Sequence, residues 1–137
     1  MEYKTFRIPV ELRFRDLDAY GHVNHAEFFT FMETARVKLM EQELEQRMGA
    51  GAPLFVVVEA SCRYKEFITL RPEVVIVIQV DQMKRASFDL LYTITDGAER
   101  VFAVARTTMV CLDAATQRPT PIPERFIELL REKEPQK

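Results

Sequence analysis

The chain has 137 residues, 47% of them hydrophobic and 29% charged, with a formal net charge of -2 and a pI near 5.8. That is the composition of an ordinary globular protein, long enough for a single domain over residues 1–137 with one sizeable core and too short for two. Lysines and arginines are interspersed with acidic residues and gather into no basic stripe, so the footprint of a nucleic-acid binder is missing.

The longest apolar runs, Leu54 to Val58 and Val74 to Ile78, are far below the roughly 18 to 20 residues that cross a bilayer. The amino terminus alternates and carries charge where a signal peptide would hold an apolar block. No membrane partner and a cytoplasmic location are expected. Cys62 and Cys111 are too few for a disulfide scaffold and too far apart for a local metal pair, and each lies in an alternating run where cysteine behaves as a small hydrophobe. With two histidines and no HExxH spacing, no metal centre is expected.

From Thr5 to Arg15 the alternation is strict, with Phe6, Ile8, Val10, Leu12 and Phe14 on one face and charged residues on the other, which predicts a half-buried strand. Continued in phase, it would put Asp16 and Asp18 on the apolar face, which unpaired charges cannot occupy. The chain therefore turns away there, or the aspartates line a cleft. Gly21 has the backbone freedom for a turn. Asn24 is a favoured N-cap residue with Glu27 three positions on, a variant of the capping box, so a helix is predicted from His25.

Phe28, Phe31, Met32, Ala35, Leu39 and Met40 recur at helical spacing, with Phe29 and Val37 widening the stripe. Arg47, then Gly49, Gly51 and Pro53, predict the stop. The helix is then about 22 to 24 residues and about 35 Å long, and a sheet must wrap it to cover its stripe. Leu54 to Ile68 alternates with Leu54, Val56, Val58, Ala60, Cys62 and Tyr64 on one face; Glu73 to Met83, Ala86 to Thr95 and Arg100 to Asp113 follow as further strands. Lys84 and Arg85 mark one reversal and Asp96-Gly97 the next, and strands this close in sequence pair antiparallel, which predicts a four-strand meander. After a proline-punctuated loop, Glu124 to Lys133 predicts a short helix with Phe126, Leu129 and Leu130 apolar, and the final residues are expected to fray.

The chemistry concentrates between Arg15 and Arg36. A helix start exposes backbone N–H groups that favour negative charge. If the Asn24 side chain takes the N–H of Ala26 or Glu27, the N–H of His25 is the freest donor and would polarise a carbonyl placed there, as an oxyanion hole does. Asp18, folded back by the glycine turn, could then serve as nucleophile or as general base for water. Against this stands an equally weighted reading in which Asp16 and Asp18 only shape the turn before the helix.

The segment DLDAYGHVNHAEFFTFMETAR, residues 16–36, resembles the signature of hotdog-fold acyl-CoA thioesterases of the 4-hydroxybenzoyl-CoA thioesterase type: D-x-D-x-x-G-x-V running into an aromatic-rich helix with E-x-x-R. VEASCRYKEFITLRPEVVI resembles the same family's second-strand region. The resemblance implies an α+β hotdog fold, an antiparallel sheet of about five strands wrapped around one long helix with a short C-terminal helix. It further implies hydrolysis of an acyl-CoA to free acid and CoA, with no cofactor, in a homodimer or homotetramer whose site lies between protomers.

Carried over residue by residue, the family's catalytic carboxylate falls on Asp18 and its helix-start donor on His25; Asp16 matches the aspartate that orders the turn, and Gly21 the loop glycine. Many members have G-H-V-N-N or a histidine at the last position, and Gly21-His22-Val23-Asn24-His25 here has both histidines. His22 and Asn24 are accordingly expected beside the substrate, His22 as an ordinary satisfied loop histidine. Glu33, which matches a helix glutamate used by a related branch, has a plain role as an i, i+3 partner of Arg36. Lys84 and Arg85 resemble a hairpin where family members bind the phosphates of CoA. The Phe28, Phe29, Phe31 stripe is read first as core and second as an acyl pocket. An enoyl-thioester hydratase or dehydratase, and a non-catalytic acyl-CoA-binding module, remain as alternatives.

Overall fold

The computed structural model describes residues 3–48 and 53–131. The expectations placed on Gly49, Gly51 and the last residues of the chain lie outside them.

Strand β1 (Phe6–Glu11) buries Phe6, Ile8 and Val10 and exposes the residues between them, as the alternation predicts. It stops sooner than predicted. A 3₁₀ turn at Phe14–Asp16 swings the chain off the sheet, leaving Phe14 80% exposed and burying Asp16. The reversal of an expected burial has an electrostatic cause. Asp16 accepts the Arg13 backbone N–H at 2.8 Å through Oδ2, and the Arg13 Nε and Nη2 at 3.2 and 2.9 Å through Oδ1, so its charge enters the interior already paired.

Helix α1 (Glu27–Leu39) buries Phe28, Phe31, Met32, Ala35 and Leu39. It continues through a wide π-helical turn at Met40–Glu45 into a last helical turn at Gln46–Met48, so the predicted length is reached by an irregular helix. Arg36 does not pair with Glu33. Its Nη1 donates instead to the Tyr92 hydroxyl at 3.2 Å, which also shares a hydrogen bond of 2.7 Å with the buried Thr107 hydroxyl. The cation thus ties the helix to the strand that carries Tyr92, and Glu33 is left exposed.

The sheet has strands β2 (Leu54–Tyr64), β3 (Glu73–Asp81), β4 (Ser87–Thr95) and β5 (Val101–Leu112) beside β1, all paired antiparallel in the order β1-β3-β4-β5-β2. Only β3, β4 and β5 form a meander. Strand β2 does not pair with its successor but lies at the far edge against β5, because the helix-bearing face must be spanned before β3 joins β1. A bulge at Val58 breaks the single alternation predicted for β2: Val57 pairs with Met109 but Glu59 with Thr108. The helix-side face is therefore Phe55 and Val57 before the bulge and Ala60, Cys62 and Tyr64 after it. Phe55 packs on Phe88 and on Phe126 of the C-terminal helix (Glu124–Arg131), whose Phe126, Leu129 and Leu130 are buried as predicted. One helix wrapped by a five-stranded antiparallel sheet, with a short helix closing one end, is the hotdog fold. No helix among the described residues is long and apolar enough to cross a membrane.

Candidate active site

The turn after Asp16 is built by Asp18. Its backbone N–H donates to the His22 carbonyl at 2.7 Å, its carbonyl accepts the Gly21 N–H at 3.1 Å, and its Oδ1 accepts the N–H groups of Tyr20 and His22 at 2.9 and 3.2 Å. Gly21 sits at φ +80°, and a Cβ there would meet nothing within 4 Å, so the backbone conformation and not space demands glycine. The turn is anchored at both ends: the Asn24 N–H donates to the Asp16 carbonyl at 2.8 Å and the Val23 N–H to the Ile68 carbonyl at 2.8 Å. Both readings of Asp18 fit this geometry, since Oδ1 holds the turn while Oδ2 accepts no hydrogen bond among the described residues.

Helix α1 starts two residues later than predicted, through a tightened first turn. The N-cap position falls on Ala26, which supplies no side-chain cap, and Asn24 instead holds the turn ahead of the helix by accepting the Ala26 N–H on its side-chain oxygen at 3.0 Å and the Glu27 N–H on its carbonyl at 2.9 Å. The reciprocal half of a capping box is absent, because the Asn24 N–H is already taken by Asp16 and the Glu27 carboxylate lies 3.7 Å from Arg13. The His25 N–H donates to no acceptor among the described residues, in keeping with the free donor expected at this helix start. From β2, the Tyr64 hydroxyl donates to the His25 carbonyl at 2.9 Å, and the Tyr64 ring meets the rings of Phe28 and His25 edge-on at 4.9 and 6.0 Å. Burial, with the Cys62 thiol beside it, raises the Tyr64 phenol above its ordinary pKa, so it keeps its proton and its donor role.

Asp18, His22, His25, Phe28 and Tyr64 line one cavity of about 740 Å³, within the range of small-molecule sites. Phe28 thus serves core and cavity together, whereas Phe31 is buried away from this cavity and Phe29 is 38% exposed. The His22 ring stacks on Phe67 at 4.3 Å and 9°, an aromatic contact rather than the hydrogen-bonded state expected of it. Gly21 and Asn24 shape the site without lining the cavity. Lys84 and Arg85 stand apart. They follow the end of β3, and since the loop before its start lines the cavity, its nine residues put them about 27 Å away along the strand. Within one protomer they do not meet the site.

In their place the structure brings in Lys65, Arg71 and Arg100, together with Phe67 and Phe102. Sequence reasoning missed these residues and Tyr64 as site components, because they arrive from the end of β2, the loop before β3 and the start of β5. The one available signal was the run RYKEFITLR, which places Tyr64, Lys65, Phe67 and Arg71 at the exit of a strand.

This constellation can polarise a carbonyl at the His25 N–H while presenting a carboxylate from Asp18. Comparison with known proteins gives the family. The model of the thioesterase-like superfamily matches residues 12–130. The long-chain acyl-CoA thioesterase FadM of Escherichia coli K12 is 35% identical over 111 residues, 80% of this chain and 84% of that protein. The acyl-CoA thioester hydrolase YbgC of E. coli O6:H1 is 26% identical over 129 residues, 93% of this chain and 96% of its own. Among solved structures, a thioesterase of Thermus thermophilus, crystallised with coenzyme A and zinc, superposes with a TM-score of 0.75 at 32% identity, covering 90% of each chain. The chain belongs to the thioesterase-like superfamily and is a thioester hydrolase.

Proposed function

We propose that the protein hydrolyses acyl-CoA thioesters to a free acid and CoA, by the arrangement of the 4-hydroxybenzoyl-CoA thioesterase type. The observation that carries this reading is that one cavity is lined by Asp18, whose Oδ2 accepts no hydrogen bond among the described residues, and by His25, whose backbone N–H has no acceptor among them. The thioester carbonyl oxygen accepts the His25 N–H, where the helix N-terminus favours the charge that develops on it. Asp18 Oδ2 either attacks the carbonyl carbon, giving an anhydride that water opens, or takes a proton from the attacking water. In both routes the C–S bond breaks, water supplies the oxygen of the acid, and a proton ends on the CoA thiolate. No step passes through a metal or an organic cofactor.

The same reading makes the protein a homo-oligomer that joins through β2. This strand is a sheet edge with open N–H and C=O groups, and it exposes Leu54, Val56, Val57 and Val58, the last at 60%. A long apolar edge left bare invites pairing with another strand. Phe29 and Val37 of α1 are also exposed. A second copy pairing antiparallel along β2 would cover both sets and lie beside Tyr64, close to the cavity.

The test is a panel of acyl-CoAs of aromatic, branched and long-chain type, followed by a thiol reagent. Thiol release with formation of the acid is expected for at least one class; consumption of an enoyl double bond without thiol release, or binding without turnover, would overturn the hydrolytic reading. Light scattering at the assay concentration is expected to give a mass of at least two chains.

A further inference from the structure

Three basic side chains, Lys65, Arg71 and Arg100, line the cavity that Asp18 also lines, and their charges are unequally compensated. The guanidinium carbons of Arg71 and Arg100 lie 5.4 and 5.5 Å from the ring centroid of the buried Phe102. Arg100 is spoken for: its Nε donates to Glu66 Oε1 at 3.0 Å. Arg71 is oriented without being neutralised. Its Nε donates to the Glu73 carbonyl at 3.1 Å, which with the Phe102 contact fixes the guanidinium, while its terminal nitrogens have no acceptor among the described residues. Lys65 is exposed and makes no ion pair among the described residues. Around the cavity stand Lys65, Arg71 and Arg100 against the carboxylates of Asp18 and Glu66. Asp96 feels the Arg71 charge without pairing with it: its carboxyl is held below the ordinary range chiefly by the Ala98 N–H, with the Arg100 N–H and the charge of Arg71 adding to this, and its Oδ1 accepts the N–H groups of Ala98 and Arg100 at 2.8 and 3.2 Å.

A planar guanidinium held by an aromatic face and one backbone carbonyl, with its terminal N–H groups free, is preorganised for an oxyanion. We infer that Arg71 and Lys65, with Arg100 alongside, form an anion subsite for the thioester substrate, taking a phosphate of the CoA arm or a carboxylate carried by the acyl group. The inference rests on the acyl-CoA reading above and replaces the Lys84 and Arg85 hairpin as the basic contact made within the protomer that supplies Asp18. Both sources offer the same chemistry, a pair of negatively charged oxygens that a guanidinium can bind side by side, and they differ in which end of the substrate lies against Phe102.

The experiment compares wild type with Arg71→Gln, Arg71→Lys, Lys65→Gln and the Arg71→Gln/Lys65→Gln double variant on three thioesters. These are an acyl-CoA, the same acyl group on pantetheine without phosphate, and a carboxyacyl-pantetheine. The double variant is expected to raise the KM for one anionic substrate, relative to that for the neutral acyl-pantetheine, by about tenfold or more, with Arg71→Lys intermediate. Loss confined to acyl-CoA assigns the phosphate, and loss confined to carboxyacyl-pantetheine assigns the carboxylate. A ratio within about twofold of wild type for both anionic substrates overturns the subsite. Because Arg71 also tethers its loop, Lys65→Gln and Arg71→Lys keep the test open if the glutamine variant misfolds. Calorimetric titration of the Asp18→Asn chain with CoA and with carboxyacyl-pantetheine reads the subsite without turnover. Arg71-dependent binding by a chain that releases thiol from no thioester would sink the hydrolase reading and keep the subsite; hydrolysis indifferent to Arg71 and Lys65 would do the reverse.

Discussion

Replacing Tyr64 by Phe removes one hydroxyl and tests whether the start of α1 is held in place for chemistry. The hydroxyl donates to the His25 carbonyl at 2.9 Å, on a residue that lines the cavity and whose N–H has no acceptor among the described residues. A neutral hydrogen bond contributes about 0.5–1.5 kcal/mol net. Tyr64 is 42% exposed, so water competes and the lower half applies, about 0.5–1 kcal/mol. If that energy serves to orient the donor, kcat falls roughly two- to fivefold. Tyr64→Leu also loses the edge contacts to Phe28 and His25, each worth about 0.5–1.5 kcal/mol, and its kcat is expected to fall by more than about tenfold. Steady-state thiol release at saturating substrate is the assay. Because burial holds the phenol above its ordinary pKa, the ratio of wild type to Phe variant stays constant from neutral pH to about pH 9. Wild-type kcat in Tyr64→Phe would refute the claim that the hydroxyl positions His25, whatever the leucine variant does.

Three further outcomes follow from the geometry. Gly21→Ala forces a side chain onto φ +80°, at about 1–2 kcal/mol, and is expected to lower Tm by several degrees and reduce kcat, read by calorimetry and thiol release; an unchanged Tm would mean that the turn relaxes. Tyr92→Phe and Thr107→Val each lose the 2.7 Å hydrogen bond and are each expected to cost about 1–2 kcal/mol in urea unfolding. The double variant should fall short of the sum by about 1 kcal/mol, and strict additivity would show the pair uncoupled. Burial pushes the Cys62 thiol above the ordinary cysteine pKa, so at pH 8 it is less ionised than a free thiol. Alkylation by iodoacetamide is expected to be slower than that of N-acetylcysteine at this pH and to accelerate only at higher pH; equal rates would show an ordinary thiol.

The parts of this protein that could be read from its sequence are those encoded locally. The alternation of Phe6, Ile8 and Val10, the stripe from Phe28 to Leu39 and the turn held by the Asn24 side chain are each set by residues within a few positions of one another and stand in the structure, although the strand ends four residues early, at Glu11, and the helix begins two residues late, at Glu27. Asp18 and His25 are only seven positions apart, across one turn and one helix start, and both line one cavity. What failed depended on side-chain partners and strand pairings that spacing does not show. The burial of Asp16 was decided by the Arg13 side chain folding back on it, and the fate of Arg36 by Tyr92, 56 residues away. The edge position of β2 follows from its pairing with β5, and one extra residue at Val58 reversed the phase that alternation had assigned to half the strand. Lys84 and Arg85 drew attention as a basic pair in a turn, but the cavity recruits Lys65, Arg71 and Arg100, which only the closed sheet places together.

The most direct test of the account is the kcat of Asp18→Asn on the best acyl-CoA of the panel. The amide keeps an oxygen to accept the N–H groups of Tyr20 and His22, so the turn is preserved while the carboxylate charge is removed. The account predicts a fall of about 10²–10⁴-fold in CoA release, with Tm and CoA binding close to wild type. CoA release within about twofold of wild type from a variant with that Tm and binding would contradict it, and would leave Asp18 with the turn alone.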